Sequence, residues 1–376
     1  MRLLILGLGT AGSRIADAIM RPSGRSSRCS SVHAIAVDND PAVLDSLEYV
    51  RNSSRFYFPK DNIKSPELLT TKFTIEEVKA TLRTIDSSGH DAVLLCAGLG
   101  GGLIDLVPHM VSIIRETMFE PIFGLITLPS KDEGEERLTE AARHVRMINS
   151  LLDGIFIFDN EICLEKAKSQ IENATQQKGS ALSEKFWIPG TAEKTGSDPY
   201  DLVNREIAHR ISLLIHAGDV QDTAPQMVLD TREILNTITG MGMITIGYSE
   251  EPLQEKTRPS LFWQKEESIV NRQERAGRIV RLAERAVFRD MSAYCDISTA
   301  RKALILLIGP EEELSMKGFM AVRKWIDETI DGFELRSGDS PLSARYGAHH
   351  IGVLILLAGL SNIPKVQELD HLLEEE

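Results

Sequence analysis

Short apolar runs alternate with amphipathic stretches through the first half of the chain, the pattern of a parallel sheet covered by helices on both faces. Residues 2–6, 33–37, 91–97, 122–128 and 154–158 read as strands, being too short for helices and rich in Val, Ile, Leu and Phe. Helical spacing predicts helices over 12–20, 103–119 and 133–152. The stretch 165–195, rich in Lys, Gln, Ser, Gly and Glu, breaks this rhythm and reads as a polar excursion. A long helix is then expected over 201–216, with Val203, Ile207, Ile211, Leu214 and Ile215 on one face. After a short helix at 230–239 the order becomes strand, long helix (268–289), strand, helix (315–329) and two more strands, a second and smaller α/β unit. Domain limits are expected at 1–199, 200–218 for a bridging helix, and 219–376.

Length and charge narrow the class. At about 150 residues per domain, 376 residues make two to three compact units. The 42 basic and 55 acidic side chains leave a net charge of −13, which disfavours nonspecific binding to nucleic acid or to an anionic membrane. No apolar run approaches the roughly 20 residues that cross a bilayer, so membrane insertion is not expected. The apolar stretch at 3–6 is too short for a signal peptide and runs into glycines, so a cytoplasmic chain is expected. Cys29, Cys96, Cys163 and Cys295 lie far apart without Cys-x-x-Cys, which signals neither a disulfide framework nor a zinc site.

The chemistry starts at two glycine loops. Gly7-Leu8-Gly9-Thr10-Ala11-Gly12 follows a strand and opens a helix, where backbone N–H groups and the helix dipole can receive a phosphate. It matches a dinucleotide fingerprint, with Asp38 or Asp40 after the second strand as the ribose acceptor. A second loop, Cys96-Ala97-Gly98-Leu99-Gly100-Gly101-Gly102, ends a later strand and precedes another helix. A dinucleotide fold does not need it, whereas a ligand with several phosphates could use both. On the helix at 201–216 and its approach, Tyr200 and Asn204 are four apart and share a face, as a stacking aromatic and a base-reading amide would. A Tyr covering the core and a solvated Asn would show the same spacing.

In this order the loops resemble those of the tubulin/FtsZ superfamily of GTP-binding, filament-forming proteins. Ile35-Ala36-Val37-Asp38-Asn39-Asp40 looks like that family's second loop, whose last residue lies near phosphates and metal. Leu128-Pro129-Ser130-Lys131-Asp132-Glu133-Gly134-Glu135-Glu136-Arg137 is similar to its ribose-contacting segment, and Phe158-Asp159-Asn160-Glu161 to the loop whose Asn bonds guanine. The resemblance implies a Rossmann-like α/β GTPase domain with a parallel sheet, a central bridging helix and a smaller α/β C-terminal domain. It implies GTP or GDP as ligand, with Mg2+ admissible, held by Gly9, Thr10, Ala11, Gly12, Asp38, Asp40, Gly98, Gly100, Gly101, Gly102, Leu103, Glu133, Arg137, Asn160, Tyr200 and Asn204.

Downstream, Asp230-Thr231-Arg232-Glu233 before Gly240-Met241-Gly242-Met243 resembles the family's catalytic loop. There the acids complete hydrolysis on the nucleotide of the adjoining subunit, so the implied partner is a second copy, head to tail, or a paralogue. Asp-x-x-Glu at a helix start is also a capping box, and both roles can coexist. Three departures mark this chain. Gly102 is followed by Leu103-Ile104-Asp105-Leu106 where relatives carry Thr-Gly-Thr/Ser-Gly, residues 55–71 hold no glycine, and Val228 replaces an Asn. They imply weak, diphosphate-selective or slow turnover, and leave open a non-hydrolysing structural or regulatory homologue. A nicotinamide-dependent oxidoreductase remains the reading of the first loop taken alone.

Overall fold

A computed structural model describes residues 1–21, 32–59, 73–84, 89–176, 198–217, 225–253, 269–332, 334–341 and 349–374. The chain divides into two compact units, Met1–Leu213 with Ile363–Glu376, and Leu214–Asn362.

The first unit is built on β1 (Leu3–Leu8), β2 (Val32–Asp38), β3 (Arg55–Tyr57), β4 (Ala92–Gly98), β5 (Ile122–Leu128) and β6 (Gly154–Asp159), in the order β3-β2-β1-β4-β5-β6. Every neighbouring pair among them is parallel. β1, β4, β5 and β6 are buried almost along their length, which explains their unbroken apolar runs: a parallel sheet has no wet face. Strand order runs outward from β1 in both directions, so the crevice beyond the carboxyl ends of β1 and β4 is a topological switch point, where open α/β sheets bind ligands. Both glycine loops leave the sheet there, with Leu8 paired to Ala97.

Helices α1 (Gly9–Met20), α2 (Pro41–Ser46), α3 (Phe73–Thr84), α4 (Val107–Thr117), α5 (Glu135–Asn149), α6 (Asn160–Gln176) and α7 (Pro199–Ile215) follow the strands. α1 lies so close to β4 that a Cβ built on Gly12 would stand 2.0 Å from the Cys96 carbonyl oxygen, so only glycine fits. The helix expected over 103–119 is divided into a 3-10 turn, Gly102–Leu106, and α4, with Pro108 in the first turn where a missing N–H costs nothing. The one expected over 133–152 is likewise a 3-10 turn, Lys131–Glu133, and then α5.

The polar excursion needs correction. Its first part, to Gln176, continues α6, because Leu164 and Ala167 are buried one turn apart and the Lys, Gln and Glu around them are good helix formers. Residues 177–197 lie outside the described residues. Residues 364–372 form a helix, α11 (Pro364–Leu372), packed on α5. Arg146 holds Asp370 at 2.8 Å across that contact, and Lys365 holds Glu161 of α6 at 3.1 Å.

The second unit has strand order β7-β10-β8-β9, made of β7 (Met243–Pro252), β8 (Lys302–Gly309), β9 (Glu334–Pro341) and β10 (His350–Leu360). β10 is antiparallel to both neighbours, and β8 and β9 are parallel. Helices α8 (Thr231–Ile238), α9 (Ile269–Phe288) and α10 (Met316–Thr329) complete it, with α9 and α10 packed on each other. No helix among the described residues is long and apolar enough to cross a membrane. Cys96, Cys163 and Cys295 are free.

Candidate functional site

Beside the two glycine loops, helices begin without side-chain caps. α1 begins after Leu8 with no side-chain cap and no acidic residue in its first turn, where Thr10 is exposed. The 3-10 turn after Gly101 and α4 after Leu106 also lack side-chain caps. By contrast, Asp40, Asp230 and Ser315 accept first-turn N–H groups at the starts of α2, α8 and α10. Uncapped N-termini expose donors and the positive end of the helix dipole, the arrangement that receives an anion.

The loops also touch. A Cβ on Gly98 would stand 3.0 Å from the Ala11 Cβ, and one on Gly9 3.8 Å from the Leu103 Cβ. Gly100 has φ +76°, and a Cβ there would meet Arg137 Cγ at 2.3 Å and Arg137 O at 2.5 Å, so this glycine is wedged against the first turn of α5.

Arg137 leads to the second half of the site. Its Nη1 pairs with Glu133 Oε2 at 2.8 Å, while Glu133 Oε1 accepts the Ser130 N–H at 3.0 Å and the Asn160 Nδ2 amide at 3.2 Å. Tyr200 stands beside the same carboxylate: burial, and then Glu133, push its phenol above the ordinary tyrosine range. Asn204, one turn further along α7, is 8% exposed. Ser130, Arg137, Asn160 and Tyr200 thus converge on one carboxyl group next to the glycine loops. Asp159, at the end of β6, was not singled out from sequence; burial raises its carboxyl to about 6 although it accepts the Glu161 N–H at 2.9 Å.

Asp38 and Asp40 are placed differently from each other. Asp38 is completely buried, and its Oδ1 accepts the Asp40 N–H at 3.0 Å. Burial pushes its carboxyl up, partly offset by the Asp40 and Asn39 N–H groups. Asp40 caps α2 by accepting the Ala42 N–H at 2.9 Å. A sealed Asp38 offers no surface to a ribose, so of the two acids Asp40, which is exposed, is the one left as a ribose acceptor.

The loop substitution at Asp105 acquires a partner that sequence reasoning missed. The Gly100 N–H donates to His144 Nδ1 at 3.2 Å, and His144 Nε2 lies 3.2 Å from Asp105 Oδ1. The available signal was spacing: Arg137 and His144 are seven residues, nearly two turns, apart and so share a face of α5.

In the second unit Asp230 and Glu233 form the reciprocal capping box of α8. Asp230 Oδ1 accepts the Glu233 N–H at 2.8 Å and Glu233 Oε2 accepts the Asp230 N–H at 3.3 Å. Asp230 is exposed, Glu233 is half-buried with Arg336 3.5 Å away, and Val228 stands out at 63% exposure. The approach loop is held from β9: Asp339 Oδ2 accepts the Gln226 N–H at 3.1 Å, and the Asp339 N–H returns to Met227 O at 3.0 Å. No group of three or more His, Cys, Asp or Glu able to hold a metal occurs among the described residues.

A family model for the C-terminal domain of tubulin-like CetZ matches residues 194–375. The tubulin-like protein CetZ4 of Haloferax volcanii is 30% identical over 388 positions, covering 98% of this chain and 91% of the relative. The structure of GDP-bound monomeric CetZ1 from the same organism superposes with a TM-score of 0.75 at 27% identity, covering 100% and 99% of the two chains. The GTPγS-bound protofilament of its CetZ2 shares the fold, with a TM-score of 0.74 at 22% identity over 100% and 98%. With such identity sustained from end to end, over a parallel sheet that carries both glycine loops, the chain belongs to the CetZ family of tubulin-like proteins.

Proposed function

We propose that the first unit binds GTP or GDP, that chains assemble head to tail, and that Asp230 and Glu233 of one chain complete hydrolysis on the nucleotide held by the next. The observation that carries this reading is the convergence of Glu133, Arg137, Asn160 and Tyr200 beside two uncapped glycine loops. In it, amides of 9–12 and those of 98–102 other than the internally bonded Leu99 and Gly100 receive phosphate, Glu133 takes the ribose, Tyr200 stacks on the base, and Asn160 and Asn204 read its edge. Mg2+ fits as an ion held mainly by phosphate oxygens, since the described residues offer no cage of their own. Asp230 and Glu233 are an oxygen-only pair that orients water, and their exposure leaves Asp230 open to a neighbouring molecule. An interface of this heterologous kind, unless its rotation closes, generates a filament. The GDP in the CetZ1 structure and the GTPγS-bound protofilament of CetZ2 support the reading by kinship.

A second reading, binding and assembly with weak hydrolysis, is favoured by one observation. Leu103, Ile104 and Leu106 are buried in the 3-10 turn, so this stretch brings no hydroxyl to the phosphates. Two measurements test the proposal. Nucleotide released from the purified protein is expected to be guanine nucleotide, and recovery of NAD instead would end the reading. Phosphate release per chain is expected to fall on dilution below the assembly threshold; a constant specific activity would mean that each monomer holds a complete centre, and no release at any concentration would select the second reading.

A further inference from the structure

We propose that neutral His144 is a positioning residue of the phosphate loop: its Nδ1 fixes the Gly100 amide, Asp105 sets its tautomer, and protonation of the imidazole loosens the loop and weakens nucleotide binding. This rests on the reading that residues 98–102 receive phosphate.

A backbone N–H can only donate, so the 3.2 Å contact from Gly100 requires a lone pair on Nδ1 and leaves the ring proton on Nε2, directed at Asp105 Oδ1 at 3.2 Å. The ring is 4% exposed, so no water replaces either bond cheaply. Gly100 has little freedom to find another acceptor, because its left-handed φ and the Arg137 backbone close against it fix the path of the loop. Arg137 and His144 therefore grip one glycine from the same face of α5. A second proton would set Nδ1–H against the Gly100 N–H and break that grip.

The charges around the ring come from both sides. Asp105 on the 3-10 turn and Glu140 on α5 favour the imidazolium, whereas burial and Arg143 oppose it. Arg143 and Glu140 are paired at 2.6 Å and largely cancel. Burial prevails, and the imidazole titrates below its ordinary value. The neutral ring, and the loop with it, is therefore held above the ordinary imidazole range and lost as pH falls through the lowered value.

The experiment measures the affinity of the full chain for fluorescent GDP from about pH 5 to 8. The terminal phosphate of GDP itself titrates near pH 6, so the reading is the ratio of wild type to His144→Asn. The Asn carbonyl stands where Nδ1 does and cannot titrate. The ratio is expected to be flat above about pH 7 and to fall by roughly two- to tenfold at acid pH, the value of one buried hydrogen bond. His144→Leu, confirmed as folded by its melting curve, is expected to bind about two- to tenfold more weakly at pH 8 without the extra pH dependence. Asp105→Ala, at an exposed site, is expected to move the midpoint to lower pH. A ratio that is constant with pH, or an Asp105→Ala midpoint identical to wild type, would overturn the inference while leaving guanine-nucleotide binding standing. A wild-type chain that binds no GDP at any pH would overturn both.

Discussion

Asp230 is asked to do two things, and a pair of substitutions separates them. As the cap of α8 it accepts the Glu233 N–H at 2.8 Å, a role that any short side chain with an acceptor oxygen can fill. As the acid offered to a neighbour it needs its negative charge. Asp230→Asn keeps the first and removes the second, and because Asn and Asp are nearly equal as caps the stability change is expected to stay within about 0.5 kcal/mol. Asp230→Ala removes both. It leaves the Glu233 N–H without its acceptor at a solvent-exposed helix start, a loss of about 1 kcal/mol, or roughly 2–4 °C in melting temperature for a unit of this size. Phosphate release at assembling concentrations is expected to fall about 100-fold or more in both variants, the contribution of a positioned acid–base group. GDP affinity should be unchanged in both if, as proposed, the acid serves another chain's nucleotide. Wild-type turnover by Asp230→Asn would show that Asp230 is a cap and nothing more. Weakened binding in both would place it in its own chain's site.

Three further outcomes follow from the geometry. Asn204→Ala should lower the preference for GDP over ADP about fivefold, the worth of one hydrogen bond to the base, and unchanged selectivity in a competition assay would remove Asn204 from the base site. Asp159 titrates at about 6 when folded, against about 3.9 unfolded, so the folded chain holds an extra proton between those values and the group's stabilising contribution is lost as pH rises through 6. Asp159→Asn keeps an acceptor for the Glu161 N–H without that penalty. It should be more stable by about 1–3 kcal/mol at pH 8 and no different near pH 4, whereas coincident pH 8 denaturation curves would contradict the burial argument. Gly12→Ala drives a methyl to 2.0 Å from a β4 carbonyl that the sheet cannot release, and should cost about 1–3 kcal/mol or more in urea unfolding. A variant as stable as wild type would mean that α1 can stand off from β4.

The sequence disclosed the parts of the fold that repeat a simple period. Buried parallel strands must be apolar at every position, so β1, β4, β5 and β6 stood out as unbroken runs. α7 showed its face through Val203, Ile207 and Ile211, all buried. The elements that escaped lack a period long enough to read. β3 spans only Arg55–Tyr57, and the buried positions of α6 were hidden by a polar composition that disorder and a surface helix share. The helix α11 shows no readable period because nine residues bury few side chains, and its anchors are ion pairs with residues about 200 positions away. The same division holds at the site. Local signals such as glycine loops, a capping box and Tyr200/Asn204 spacing were legible in one dimension. The burial of Asp38 and the partnership of Gly100, His144 and Asp105 depend on which faces the sheet brings together, of which the sequence showed only that Arg137 and His144 share a face of α5.

Glu133 shows what such a site exchanges on binding. Its Oε1 already accepts from the Ser130 N–H and from Asn160 Nδ2, and its Oε2 accepts from Arg137, with the Tyr200 phenol alongside. A carboxylate has about four acceptor positions, so a ribose hydroxyl that takes Glu133 competes with these groups. Asn160 must likewise release Glu133 before its Nδ2 can meet a base. Each ligand bond formed at this hub therefore replaces an internal one, and the net gain per bond is a small fraction of its gross strength. The Ser130 N–H, held by the 3-10 turn, is the donor least free to move; Arg137 and Asn160 are side chains that can turn. On the proposed reading affinity then comes chiefly from the uncapped helix starts beside the glycine loops and from the exposed ring of Tyr200, which give up less on binding. On the proposed reading the carboxylate hub would supply orientation, fixing where sugar and base lie relative to phosphates at the loops.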